Sequence, residues 1–108
     1  MDKESRIFVA GHRGLVGSAI CRSLERSGFS NLVARTRAEL DLRDQAAVCA
    51  FFNRERPEYV FLAAAKVGGI YANSHYPADF IYDNLAVQNS VLKAAMDCGV
   101  RKLLFLGS

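Results

Sequence analysis

The sequence predicts an α/β fold, a doubly wound parallel sheet with helices on both faces. Three observations predict it. Short, apolar, strand-forming runs alternate with longer segments of helical periodicity along the whole chain. Each pair of runs is joined through a helical segment or a long crossover, so the strands lie parallel and both sheet faces are covered. The first run also ends in a glycine turn that opens straight into a helical pattern, which is how a phosphate-binding βα unit begins.

The elements follow in order. Residues 7–10 are apolar and read as a buried strand. Gly11, Gly14 and Gly17 follow at G-x-x-G-x-x-G spacing. Gly11 permits the sharp turn, Gly14 a close approach of backbone to a pyrophosphate, and Gly17 tight packing of the helix. Leu15, Val16, Ala19, Ile20 and Leu24 form a helical apolar stripe that Gly28 stops. Residues 31–34 are a short second strand, and 41–44 a turn into a helix with Ala47, Val48, Phe51 and Phe52 on its apolar face. Pro57 ends that helix. Residues 59–64 are a third strand and 66–74 a glycine-bearing loop. Pro77 suits the first turn of a long helix running to Cys98, with Gly99 as terminator. Its apolar positions include Phe80, Ile81, Leu85, Val91, Leu92, Ala95 and Met96. Residues 102–106 are a fourth strand. Right-handed crossovers then predict the order 3-2-1-4, with a ligand crevice at the carboxyl ends of strands one and four.

Composition narrows the function classes. The 108 residues carry a net charge of +3, with 51% hydrophobic and 23% charged residues, as a globular chain does. Lys and Arg are scattered, which argues against a nucleic-acid partner. Cys21, Cys49 and Cys98 form no C-x-x-C pair, so packing roles and reduced thiols in the cytoplasm are expected, with no metal site. The first residues lack the apolar core of a signal peptide, and no stretch is long enough to span a bilayer. An apolar fourth strand at a sheet edge is unusual. Residues 1–108 are therefore expected to be the N-terminal part of a Rossmann-like cofactor-binding domain, with further strands and a substrate domain beyond them.

The residues after the second strand select the nucleotide. A carboxylate in this region grips the ribose hydroxyls of NAD. Here it reads Arg35, Thr36, Arg37. A guanidinium can hold a 2′-phosphate through two hydrogen bonds, where a carboxylate repels it. Arg37 and Arg13 are expected to flank that phosphate, which predicts NADP(H). The loop residues Gly11, His12, Gly14, Leu15, Val16 and Gly17 line the cofactor, His12 through backbone placement. Asp41 is suited to accept from the adenine amine or to act in the turn and helix cap beside Asp44; Leu42 can pack on the ring. Ala63, Ala64 and Ala65 leave room for cofactor. Lys66 suits a cofactor contact or a solvated loop position. Gly68, Gly69 and Asn73 border the expected sugar pocket.

Five segments together carry a resemblance: G-H-R-G-L-V-G at 11–17, R-T-R at 35–37, A-A-A-K-V-G-G-I at 63–70, Y-P-A-D-F-I at 76–81 and L-L-F-L-G-S at 103–108. The chain resembles the GDP-L-fucose synthase family of extended short-chain dehydrogenase/reductases. The resemblance implies an NADPH-dependent epimerase–reductase acting on a GDP-sugar ketone, GDP-4-keto-6-deoxy-D-mannose. It implies that Arg13 and Arg37 hold the 2′-phosphate, that Ser108 is the catalytic serine bonding the ketone oxygen, and that Leu106 and Gly107 pass beside the cofactor. The family's Y-x-x-x-K pair matches none of the four tyrosines. Family members dimerise through helices of this region, which implies a homodimer through residues 77–98. Two other readings are another extended family member, such as a nucleotide-sugar epimerase or dehydratase, and a non-catalytic NADP(H) sensor.

Overall fold

The computed structural model describes residues 2–63 and 77–105, and for 77–84 the backbone alone. Strand β1 spans Ile7–Ala10, helix α1 Leu15–Arg26, β2 Leu32–Val33, α2 Gln45–Glu55, β3 Tyr59–Leu62, α3 Pro77–Asp97 and β4 Lys102–Phe105. The β2 and β3 runs are shorter than their apolar stretches.

All described pairings are parallel, and the order is β2-β1-β3-β4. This corrects the expected 3-2-1-4. No strand forms between β2 and α2, because that backbone turns on itself: the Thr36 carbonyl accepts from the N–H of Glu39 and of Leu40, and Asp41 accepts from Asp44. The next strand in sequence crosses to the free side of β1 and pairs with it over four residues, Ile7 against Tyr59 through Ala10 against Leu62. The winding reverses between β1 and β3. The crevice follows the reversal, so it lies at the ends of strands one and three instead of one and four.

Handedness accounts for the layers. The β1-to-β2 connection runs one way across the sheet; the next two run the other way. Right-handed crossovers place α1 on one face and α2 with α3 on the other. On the second face Phe8 sits 4.7 Å from Phe51 and 5.7 Å from Phe52, ring centroid to centroid. Val48, Val60, Leu62, Val91 and Ala94 close this core. On the first face Ile7, Val9 and Leu24 are buried, with Ile20, Cys21 and Phe61 against them. Alternate residues of β1 thus serve opposite cores, which requires a strand apolar on both sides.

Two helical stripes are narrower than their periodicity predicts. In α1 only Gly17 and Leu24 are buried, while Ala19 and Val16 are exposed and Leu15 is 87% exposed. In that first turn the buried position is Gly17, packed against the Gly11 turn. In α3 Val87, Val91, Ala94 and Ala95 face the core, whereas Leu85, Leu92 and Met96 form an exposed row. The three cysteines are half-buried and pack beside the cores.

Candidate functional site

A cavity of about 390 Å³ opens where β1 and β3 end. Gly11 follows β1 directly and Ala63 follows β3, and both line it. Gly11 has φ +86°, a conformation glycine adopts without strain. Gly17 is required for space: a Cβ there would lie 1.8 Å from the Gly11 carbonyl oxygen. Gly14 has neither need. Its φ is −72°, and a Cβ would meet only the Gly11 oxygen at 3.5 Å. What a side chain at position 14 would obstruct is the cavity that Gly14 lines.

The starts of α1 and α2 differ in a telling way. Asp44 caps α2, its carboxylate accepting from the Ala47 N–H at 3.2 Å. Gly14 caps α1 without any side-chain acceptor, and no acidic residue lies in the first turn. The first amides of a helix have no intrahelical partner and carry its positive dipole end. At α2 the Asp44 carboxylate satisfies one of them; at α1 no side chain does.

Four arginines line the same cavity: Arg13 from the glycine turn, then Arg35, Arg37 and Arg43 from the segment after β2. Arg35 and Arg37 flank Thr36, which the cavity also contacts. Arg13 and Arg37 are exposed, and among the described residues neither has a hydrogen bond or ion pair. The segment is shaped locally. Glu39 accepts from the Thr36 N–H at 2.7 Å, and the Thr36 hydroxyl accepts from the Glu39 N–H at 3.3 Å, a reciprocal box that closes the turn. These hydrogen bonds hold the Glu39 carboxyl below its ordinary pKa.

Asp41 lines the cavity, but its carboxylate is already engaged. It accepts from Arg43 three times: the backbone N–H at 3.0 Å, Nε at 3.1 Å and Nη2 at 3.0 Å. Of the two roles open to Asp41 in sequence, the turn role is the one the geometry fills, in a different form: Asp44 caps the helix and Asp41 holds Arg43. The Arg43 hydrogen bonds bring the Asp41 pKa down to about 2. A depressed carboxyl stabilises the fold above its unfolded pKa of 3.8, and that contribution is lost as pH falls toward 2. Because Asp41 and Arg43 are both substantially exposed, the contribution is under about 1 kcal/mol. Carboxyl carbon NMR titration is expected to give Asp41 a midpoint near 2; an ordinary midpoint would show that the Arg43 clamp does not persist in solution.

His12 and Leu42 line the cavity as expected from sequence. Leu15, Val16 and Gly17 do not; they stand behind it as the first turn of α1. Ala64, Ala65, Lys66, Gly68, Gly69, Asn73, Leu106, Gly107 and Ser108 lie outside the described residues. Sequence reasoning missed Leu40, Arg43 and Val87. Leu40 is a buried floor residue, and Val87 reaches the cavity from α3. The buried Ser90 hydroxyl, donating to the Arg43 carbonyl at 3.3 Å, ties that helix to the rim. Only the alternation of apolar and charged residues at 40–43 could have signalled a wall. Among the described residues no group of three or more His, Cys, Asp or Glu could hold a metal, and no helix is long and apolar enough to cross a membrane.

A glycine turn and an uncapped helix start at the reversal point of a doubly wound sheet belong to the Rossmann-like class. The chain belongs to the NAD dependent epimerase/dehydratase family, which it matches over residues 7–108. It is similar to GDP-L-fucose synthase 1 of Arabidopsis thaliana, 64% identical over 107 residues, 99% of this chain and 33% of that protein. The chain thus spans about a third of the length of such curated relatives. Among solved structures it is similar to a GDP-mannoheptose C4 reductase from Campylobacter jejuni with NADP bound, TM-score 0.94 and 48% identity, over 99% of this chain and 34% of the other. It is also similar to a GDP-L-fucose synthetase from Naegleria fowleri bound to NADP, TM-score 0.82 and 31% identity, over 97% of this chain and 32% of the other.

Proposed function

We propose that residues 1–108 are the NADP(H)-binding part of an epimerase–reductase that converts GDP-4-keto-6-deoxy-D-mannose to GDP-L-fucose. The observation that carries the cofactor is the pair Arg13 and Arg37, on one cavity and with no hydrogen bond or ion pair among the described residues, beside a helix start with no side-chain cap. Cationic groups left unpaired beside open amides suit a ligand with more than one phosphate. No carboxylate stands at 35–37 to repel a 2′-phosphate. Two similar structures, both with NADP bound, support the same reading. The curated relatives named GDP-L-fucose synthase support the substrate.

In this reading Gly11, His12, Gly14 and the first amides of α1 at Leu15, Val16 and Gly17 hold the pyrophosphate. Arg13 and Arg37 hold the 2′-phosphate. Leu42 packs on the adenine, with Asp41 behind it as the anchor of Arg43. Ala63, Ala64 and Ala65 give the cofactor room where β3 ends, and Leu106 and Gly107 pass beside it. The bound cofactor supplies the hydride that reduces the sugar ketone. Ser108 donates a hydrogen bond to the ketone oxygen and stabilises its developing negative charge. The protein works in the cytoplasm as a homodimer, its interface formed by α3, whose exposed Leu85, Leu92 and Met96 are the supporting observation.

The test uses the intact protein. Fluorescence titration is expected to give NADPH an affinity at least about tenfold above NADH, and turnover of the 4-keto sugar is expected with NADPH. Equal affinities would overturn the cofactor assignment. Tight NADPH binding without turnover of that sugar would overturn the substrate assignment alone.

A further inference from the structure

Four guanidinium groups around one cavity repel each other unless some are neutralised, and here the neutralisation is uneven. Arg43 is paired with Asp41 at 3.0 Å, and Arg35 with Glu55 at 3.6 Å. Arg13 and Arg37 form no hydrogen bond or ion pair among the described residues, although the Arg37 charge acts on Asp41 from a distance. Glu55 is the last residue of α2, distant from the cavity in sequence, and its side chain is only 19% exposed.

Glu55 gathers three arginines. Arg6 Nη1 donates to Oε1 at 3.1 Å, Arg54 Nε donates to Oε2 at 3.3 Å, and Arg35 Nη2 lies 3.6 Å from the same Oε2. Arg35 is held in two further ways. Its Nη1 donates to the Ala34 carbonyl at 2.8 Å, and its guanidinium lies 5.3 Å from the centre of the Phe51 ring. Arg35 lines the cavity, but turning its guanidinium toward a ligand there would require it to leave a carboxylate, a carbonyl and an aromatic face together. Its charge is also offset where it stands.

We propose that Glu55 is a positioning and specificity-setting residue: it withholds Arg35 from the cofactor phosphate, so that Arg13 and Arg37 alone receive it. This rests on the NADP(H) reading above. Glu55 thereby limits the positive field at the 2′-phosphate and sets how tightly that phosphate is held and how fast it leaves. The arrangement suits a protein that must exchange its cofactor after each turnover.

The experiment measures binding of 2′,5′-ADP and of 5′-ADP to the intact protein at low and moderate salt. In Glu55→Gln the shape remains and the Arg6 bond to the Glu55 backbone carbonyl, 3.0 Å, is untouched, but the charge is gone. Affinity for 2′,5′-ADP is expected to rise about threefold, with a steeper salt dependence, while 5′-ADP stays within about twofold. Glu55→Asp keeps the charge and is expected to restore the wild-type ratio of the two affinities. In Arg35→Ala the gain from Glu55→Gln is expected to vanish, because Arg35 carries it. An unchanged or weakened 2′,5′-ADP affinity in folded Glu55→Gln would overturn the proposal, and so would a gain that survives Arg35→Ala. If Glu55→Gln fails to fold, Glu55→Asp and Arg35→Ala decide: wild-type ratios in both uphold Glu55 and Arg35 as standing apart from the phosphate, and a selective loss in Arg35→Ala overturns it. A wild-type protein that binds both probes equally would sink the NADP(H) reading itself, and this proposal with it.

Discussion

Replacing Arg37 by Ala in the intact protein is expected to weaken NADPH binding about 10- to 100-fold and to leave NADH binding within about twofold. The magnitude follows from a charge-assisted hydrogen bond to phosphate, worth about 1.5–3 kcal/mol. Arg13→Ala is expected to act in the same direction. The double variant is expected to remove the preference for NADPH, with a loss smaller than the product of the single losses, because both groups serve one phosphate. Raising salt should erode NADPH affinity in the wild type more than in either variant. Parallel loss of both cofactors would mean that these arginines shape the loop without reading the 2′-phosphate.

Gly17→Ala is expected to be the most damaging single methyl in the described part of the chain. Its Cβ would sit 1.8 Å from the Gly11 oxygen and 2.6 Å from the Gly11 carbonyl carbon, with the His12 Cα at 3.0 Å. These atoms are backbone, so no rotamer change relieves the clash. Either α1 moves off the turn or the turn opens. Overpacking of this kind costs about 3 kcal/mol, and here it also displaces the amides beside the cavity. Urea denaturation and NADPH titration should both register the change. Gly14→Ala is the matched control: ordinary contact inside the protein should leave stability nearly unchanged, while cofactor affinity falls. Comparable unfolding midpoints for wild type and Gly17→Ala would refute the packing account.

Both experiments probe a region whose outline was readable from local sequence. The strand Ile7–Ala10, the glycine turn and the following helix fall where the apolar run and the glycine spacing put them. So does the helix opened at Pro77 and closed before Gly99, which has φ +68°. Arg13 and Arg37, 24 positions apart, line one cavity because one follows β1 and the other follows the adjacent parallel strand. Parallel neighbours end on the same side of a sheet, so a correct βαβ assignment brings those loops together without further information.

Other features were not readable, for identifiable reasons. Strand order depended on which side of the first pair the strand at residues 59–62 would join. It pairs with β1 over four residues, and apolar patterning does not register which neighbour a strand takes. Leu15 and Val16 fit a helical stripe, yet a stripe is buried only where something lies beneath it, and both are exposed. The role of Asp41 turned on the reach of Arg43, two residues away, a side-chain geometry with no periodic signature.

By itself the sequence determined the class of fold, the phosphate-binding turn and the cationic character of the wall facing it. Those follow from short-range rules: periodicity, glycine conformations and charge. Only the tertiary structure decided which strand joins β1 on its free side, and which arginines of the cavity are ion-paired, Arg43 with Asp41 and Arg35 with Glu55. The reason is spatial. An ion pair such as Arg35 with Glu55 joins positions 20 residues apart, and it exists only because the packing of α2 on the sheet brings its last residue within reach of the Arg35 side chain.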